Sequence, residues 1–191
     1  MEPNATSEFT LIGMGTSSAE IPSFDDVVQL YWPRVFRFVL ASVRDRDAAE
    51  DLTQDCFCKA YKGWNGFRGD SSVITWLMHI AVNVIKDFAR NQRLQFWRRA
   101  RVIDPASIGD YLADRTLSPE ANVVMQDNLR AIWEAAAVMP SRQRTAFLLR
   151  FVEDMELHEI AQVMGVSDGS VKVHLFRAVH AVRKTLRIRN E

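Results

Sequence analysis

Cysteine, histidine and net charge are all scarce in this sequence, and each scarcity excludes something. The 191 residues include two cysteines, Cys56 and Cys58, one residue apart. That spacing is too short to bridge easily in regular structure, and two thiols are too few for a disulfide framework. A reducing, cytoplasmic setting is expected. The four histidines, His79, His158, His174 and His180, show no zinc-binding spacing, so neither a metal nor another cofactor is expected. Basic and acidic residues number 24 each, so no overall basic excess announces a nucleic-acid partner. The distribution of charge has to be read instead. Every apolar run is broken by charge well short of a bilayer span, so no membrane insertion is expected. The first basic residue is Arg34, which argues against a secretory signal.

The composition itself, 48 % hydrophobic and 25 % charged, is that of a globular chain. Residues 1–22 are rich in Ser, Thr, Gly and acid without periodicity and read as a flexible tail. From Phe24 the apolar residues Val27, Val28, Tyr31, Val35, Val39 and Val43 recur at helical steps, with Pro33 expected to kink or split the segment. A second helix is expected from about Asp47 to Trp64. A loop rich in turn formers follows, and a third helix capped by Ser71 or Ser72 runs to about Arg93. Residues 104–120 hold Pro, Gly, Ser and four acids against Arg115, the composition of a linker. Helices resume near Asn122. Pro140 stops one, Ser141 is placed to cap the next, and two shorter helices flank the turn Gly165-Val166-Ser167. No stretch alternates as a strand does. The predicted class is all-α: a tail (1–22), a three-helix domain (23–100), a linker (101–121) and a second helical domain (122–191).

The sharpest local signal lies in residues 157–177. A DNA-binding helix-turn-helix needs a small residue where its helices cross, and Ala161 supplies one. Gly165 can take the positive φ of the turn. Val171 anchors the second helix, Ser167 can cap it, and Asp168 suits its positive end. Ser170, Lys172, His174, Arg177 and Lys184 are then expected on the groove side. The plain alternative is a helical hairpin that merely packs. A second signal is a stripe on the third helix. His79, Asn83, Lys86, Arg90 and Arg93 share one face, and Arg98, Arg99 and Arg101 extend the charge. With Phe67, Trp76, Phe96 and Trp97 nearby, it has the cation-and-aromatic composition of single-strand binding, although many such faces are simply solvated. A third is the acidic face of the second helix: Glu50, Asp51, Gln54 and Asp55. Without a nearby histidine, metal set or phosphate loop it suits docking on a basic protein better than acid–base catalysis, so no catalytic residue is expected.

Together these residues are recognisable. Ala49-Glu-Asp-Leu-Thr-Gln-Asp55, Phe67-Arg-Gly-Asp-Ser-Ser72, and Thr75-Trp-Leu77 with Ile80, Ala81 and Asn83 resemble region 2 of the extracytoplasmic-function sigma factors. Pro140-Ser-Arg-Gln-Arg-Thr-Ala-Phe-Leu-Leu-Arg150 and the helix-turn-helix resemble region 4. The resemblance implies a non-enzymatic transcription initiation factor. Glu50, Asp51, Gln54 and Asp55 would dock on the clamp helices of the largest subunit of core RNA polymerase, and region 4 would hold the flap of the second-largest. Phe67, Arg68, Asp70 and Ser71 in the loop, with His79, Asn83, Lys86 and Arg90, would bind the single-stranded −10 element of promoter DNA. Ser167, Ser170, Lys172, Val173, His174, Phe176 and Arg177 would bind the −35 duplex. An anti-sigma factor is an expected partner. By its charge, opposite to that of both DNA-facing helices, the acidic linker is also a candidate to fold back on the basic stripe and the recognition helix. The chain departs from the family pattern at His79 and Val82, often basic, and at Val173-His174, where Ser-Arg is common. A duplex-binding regulator with a helical dimerisation or sensing domain, and a pure protein-binding module, remain alternative readings of the residues alone.

Overall fold

The computed structural model describes residues 23–95 and 119–189, with side chains over 23–91 and 129–188. The expected tail, Arg98, Arg99 and Arg101, the aromatics Phe96 and Trp97, the side chain of Arg93 and most of the acidic linker lie outside the described residues. Seven helices and no strand occur among the described residues: α1 Phe24–Val43, α2 Arg46–Trp64, α3 Val73–Gln95, α4 Pro119–Val138, α5 Ser141–Phe151, α6 Leu157–Met164 and α7 Asp168–Arg189.

The first three helices form a unit because each has one continuous apolar side. Val27, Val35, Phe38 and Val39 of α1 meet Ala49, Leu52, Cys56 and Ala60 of α2 and Leu77, Met78 and Ala81 of α3, all buried. Helix α1 runs through Pro33 without being split there. Pro33 is exposed, so the ring sits on the solvent side, and burial of the apolar face on both sides of it outweighs one missing backbone bond. Ser23 caps α1, Asp45 caps α2 and Ser72 caps α3, each hydroxyl or carboxylate accepting from the backbone N–H three residues on.

The second unit packs α4 and α5 against α7, with α6 crossing both α5 and α7. Trp133, Ala136, Phe147, Leu148, Leu149, Ile160, Val163, Val171 and Val182 are its buried centre. Three sequence expectations differ here. Helix α4 begins at Pro119, inside the expected linker, and proline suits a first helical turn because the N–H it lacks would have no partner there. Ser141 is the first residue of α5 and not its cap: Pro140 is the N-cap, its carbonyl accepting from Gln143 and Arg144. Helix α7 is not short but spans 22 residues, because Ala178, Val182 and Leu186 prolong its apolar side over α4 and α5.

The two units pack on each other, α1 against α5 and α3 against α6. The Glu153 side chain is wholly buried between them. Its carboxylate accepts from Arg34 Nε at 3.0 Å and pairs with Arg37 Nη2 at 3.1 Å. Arg34 Nη2 also donates to the Glu153 carbonyl at 2.9 Å. Arg144 donates to the carbonyls of Ala136, Ala137 and Met139 and reaches the Ser42 carbonyl, while Arg44 donates to the Trp133 carbonyl. Arg44 ends α1 in the left-handed region, at φ 59°, which turns its side chain's base toward α4. Burial pushes the Glu153 carboxyl above its ordinary range, against the pull of Arg37 and Arg34.

Candidate functional site

Three surfaces carry the residues singled out in the sequence. On α2 the inward positions are buried, which forces the polar positions between them outward. Glu50, Asp51, Gln54 and Asp55 are all exposed on one side. Glu50 pairs with Arg46 at 3.1 Å, one turn back. Asp51 and Asp55 have no ion-pair partner among the described residues, which leaves two carboxylates free for another surface. The paired cysteines divide across the same helix. Cys56 is buried, its thiol pushed up to about 12 by burial, and Cys58 is exposed.

The second surface is the 65–72 loop with the outer face of α3. Arg68 and Asp70 are exposed and Ser71 is half-buried. Gly69 takes φ 76°, open to glycine without strain, and turns the loop. The Phe67 ring is stacked on Trp64 at 5.4 Å and lies 5.1 Å from Trp76. It is therefore engaged by two indoles and holds the loop to the end of α2 and the start of α3. The two indoles lie 5.9 Å from one another, so they brace the ring from neighbouring directions and do not sandwich it. Beyond the loop, His79, Asn83, Lys86 and Arg90 are all exposed on α3, as their spacing requires. Arg90 is paired with Asp87 at 2.9 Å. The His79 ring joins this surface to α6: Nδ1 lies 3.0 Å from the Val163 carbonyl, and Nε2 lies 3.1 Å from the Asn83 amide nitrogen. A carbonyl only accepts, so Nδ1 is the donor of the contact to Val163. Lys86 and Arg90 of the stripe line one wall of a cleft between the units, with Ile85, Arg142, Thr145 and Met164, of about 390 Å³.

The third surface is the helix-turn-helix. Ala161 is buried at the crossing of α6 with α7, where a larger side chain would separate them. Gly165 takes φ 65° and its N–H closes α6 on the carbonyls of Ala161 and Gln162. Glu156 and Glu159 cap α6 reciprocally. Ser167 accepts from the Ser170 N–H and caps α7, and Val171 is wholly buried. With about 100° of turn per residue, the face opposite Val171 and Ala178 centres on Val173. Lys172, Val173, Phe176, Arg177, His180, Arg183 and Lys184 are exposed. Ser167 is exposed and Ser170 half-buried. His174 is also half-buried, with Nδ1 enclosed and without a hydrogen-bond partner among the described residues. It sits toward the flank of the exposed face and not at its centre.

Sequence reasoning did not single out Glu153, Arg34, Arg37 or Val163. Their roles depend on pairs more than 80 residues apart. The one local hint was an acid at 153 set between Val152 and Met155. His180 was also missed, although its step of seven from Val173 places it on the same face.

No group of three or more His, Cys, Asp or Glu side chains able to hold a metal occurs among the described residues, and no described helix is long and apolar enough to cross a membrane.

Residues 27–95 match the family model described as Sigma-70 region 2, and residues 129–182 match Sigma-70, region 4. The chain is 31 % identical over 170 residues to the RNA polymerase sigma-H factor of Pseudomonas aeruginosa, covering 86 % of each protein. It is 31 % identical over 162 residues to the ECF RNA polymerase sigma-E factor of Escherichia coli, 84 % of each. It is 28 % identical over 168 residues to the ECF RNA polymerase sigma factor SigW of Bacillus subtilis, 86 % of this chain and 89 % of that one. Among solved structures it resembles the sigma factor RpoE in complex with the anti-sigma factor NepR from Bartonella quintana, with TM-score 0.68 and 21 % identity over 86 % of this chain and 97 % of that one. It also resembles CnrH in complex with the cytosolic domain of CnrY, with TM-score 0.57 and 18 % identity over 90 % and 92 %.

Proposed function

This chain belongs to the extracytoplasmic-function sigma factors of bacterial RNA polymerase, and from that premise we propose how its three surfaces divide the work of promoter-specific initiation. The exposed carboxylates of α2 dock on basic clamp helices of the largest polymerase subunit, and the second unit holds the flap of the second-largest. Opposite potentials steer such an encounter and fix its register. The 65–72 loop and the α3 stripe take the melted −10 strand, with Lys86 and Arg90 neutralising phosphate and the loop residues Arg68, Asp70 and Ser71 meeting the bases. Helix α7 enters the major groove of the −35 duplex from its N-terminal end. The factor contributes no bond-making chemistry, acts in the cytoplasm and is held in check by an anti-sigma factor.

The observation that carries this reading is the coexistence, on one chain, of an exposed basic stripe beside an aromatic-braced loop and a helix-turn-helix with an exposed recognition face. A regulator of duplex DNA alone needs the second and has no use for the first. Gel filtration with core polymerase tests it. Co-elution is expected, and independent migration at micromolar concentrations of both contradicts it.

A further inference from the structure

The exposed face of α7 is not uniformly polar. Val173 is 46 % and Phe176 74 % exposed. The Phe176 ring lies parallel to His180, at 6.5 Å and 20°. These two apolar side chains sit near the middle of the face, with Lys172 on one flank and Arg177 on the other. Nothing in the fold requires them there, since Val171, Ala178 and Val182 already serve the buried side. Exposing a phenylalanine and a valine to water is unfavourable unless something apolar covers them.

The neighbouring charges say what kind of partner covers them. Helix α7 carries six Lys or Arg against Asp168 alone. That matches a polyanion, and duplex DNA is the polyanion whose groove also presents an apolar group, the thymine 5-methyl. Gly169 adds a second, independent observation. It lies one turn before Val173 on the same face. A Cβ placed there would meet only the Ser167 hydroxyl at 3.9 Å, an ordinary contact, and the backbone is not left-handed. The fold therefore has no need of glycine at 169. Close approach of the helix to a partner does need it.

We propose that Gly169, Val173 and Phe176 form an uncharged seam that reads thymine methyl groups in the −35 duplex, between cations that hold the phosphates. The proposal rests on the assignment of α7 to that duplex. It places the base discrimination on two apolar side chains and takes His174, whose ring is turned to the flank, out of the centre of the contact.

The test uses the full chain bound to core polymerase. Promoter duplexes randomised over the −35 segment are selected for binding. In the selected duplex each thymine is then replaced singly by deoxyuridine, which removes one methyl and no hydrogen-bonding group. Loss of one buried methyl is expected to weaken binding roughly fourfold. Val173→Ala and Phe176→Ala should each bind one methylated and demethylated pair equally, with thermal unfolding unchanged because both side chains are exposed. Lys172→Ala should weaken both members of every pair by one factor. Gly169→Ala should raise or leave unchanged the thermal midpoint while weakening all duplexes. Selected duplexes without thymine, or equal binding of thymine and deoxyuridine by the unaltered protein, would overturn the proposal alone and leave duplex recognition by α7 standing. Failure to select any −35 sequence would overturn both.

Discussion

Removing the carboxylate of Glu153 should loosen the two units from one another. In the wild-type chain this wholly buried group takes charged hydrogen bonds from Arg34 and Arg37 across the interface. Breaking a fully buried ion pair by deleting one partner costs about 3–5 kcal/mol. Here the arginine side chains are 36 % and 31 % exposed, so they regain water when the acid is gone, and the cost is smaller. Glu153→Ala should therefore shift the balance between packed and separated units by about 2 kcal/mol, roughly thirtyfold. Glu153→Gln keeps an acceptor and, like the protonated acid that the packed form favours, buries no charge, so at neutral pH it should leave the packing unchanged or tighter. Because burial raises the Glu153 carboxyl, the packed form binds its proton more tightly than the separated one. Stability from this group is then full below the ordinary glutamate pKa of about 4.3 and is lost as pH rises through the raised value. The glutamine variant should lack that dependence. Energy transfer between dyes reads the separation. Cys58 takes one dye selectively, because the Cys56 thiol is buried and its pKa is near 12. Lys184→Cys takes the other. Identical distance distributions for wild type and Glu153→Ala would refute the fastening role.

The double charge reversal Asp51→Arg with Asp55→Arg should lower affinity for core polymerase and leave the far-UV circular dichroism and thermal midpoint unchanged, read by pull-down titration and thermal scan; unchanged affinity would remove α2 as the docking surface. Asn83→Ala should impair melting more than closed-complex binding, whereas Phe67→Ala should impair melting through the loop it braces and also lower the thermal midpoint, since its ring packs on Trp64 and Trp76. Permanganate reactivity of unpaired thymines separates the two steps, and normal melting by both variants would make the α3 stripe a solvated face. Gly165→Ala forces a side chain into φ 65° and should cost about 1 kcal/mol in urea unfolding; no change would mean the turn relaxes elsewhere.

Much of this architecture is legible because helices advertise themselves locally. The apolar steps from Val27 to Val43, the turn at Gly165 and the cap at Ser167 each lie within a few residues of what they govern. Local signals mislead where tertiary burial competes with them. Pro33 reads as a kink or a split, yet the buried side of α1 carries the helix on past it. His174 reads as a groove-facing polar residue by its chemistry. The turn angle of α7 instead centres Val173 and places His174 at the flank, with one ring nitrogen enclosed. The contacts between the units were not legible at all. Arg34, Arg37 and Glu153 are ordinary surface types in sequence, and only the fold brings them within 3.1 Å. The tie from His79 to Val163 is likewise invisible, because a backbone carbonyl carries no sequence signature.

Transcription in a purified system tests the central claim most directly. Core polymerase is incubated with fragmented genomic DNA, with and without the full chain, and the 5′ ends of the transcripts are mapped. The account predicts a discrete set of start sites that appear only with the chain, share paired upstream elements at fixed spacing, and vanish when Asp51 and Asp55 are both reversed to Arg. Start sites identical to those of core polymerase alone, or a new set that persists in the double reversal, would contradict it.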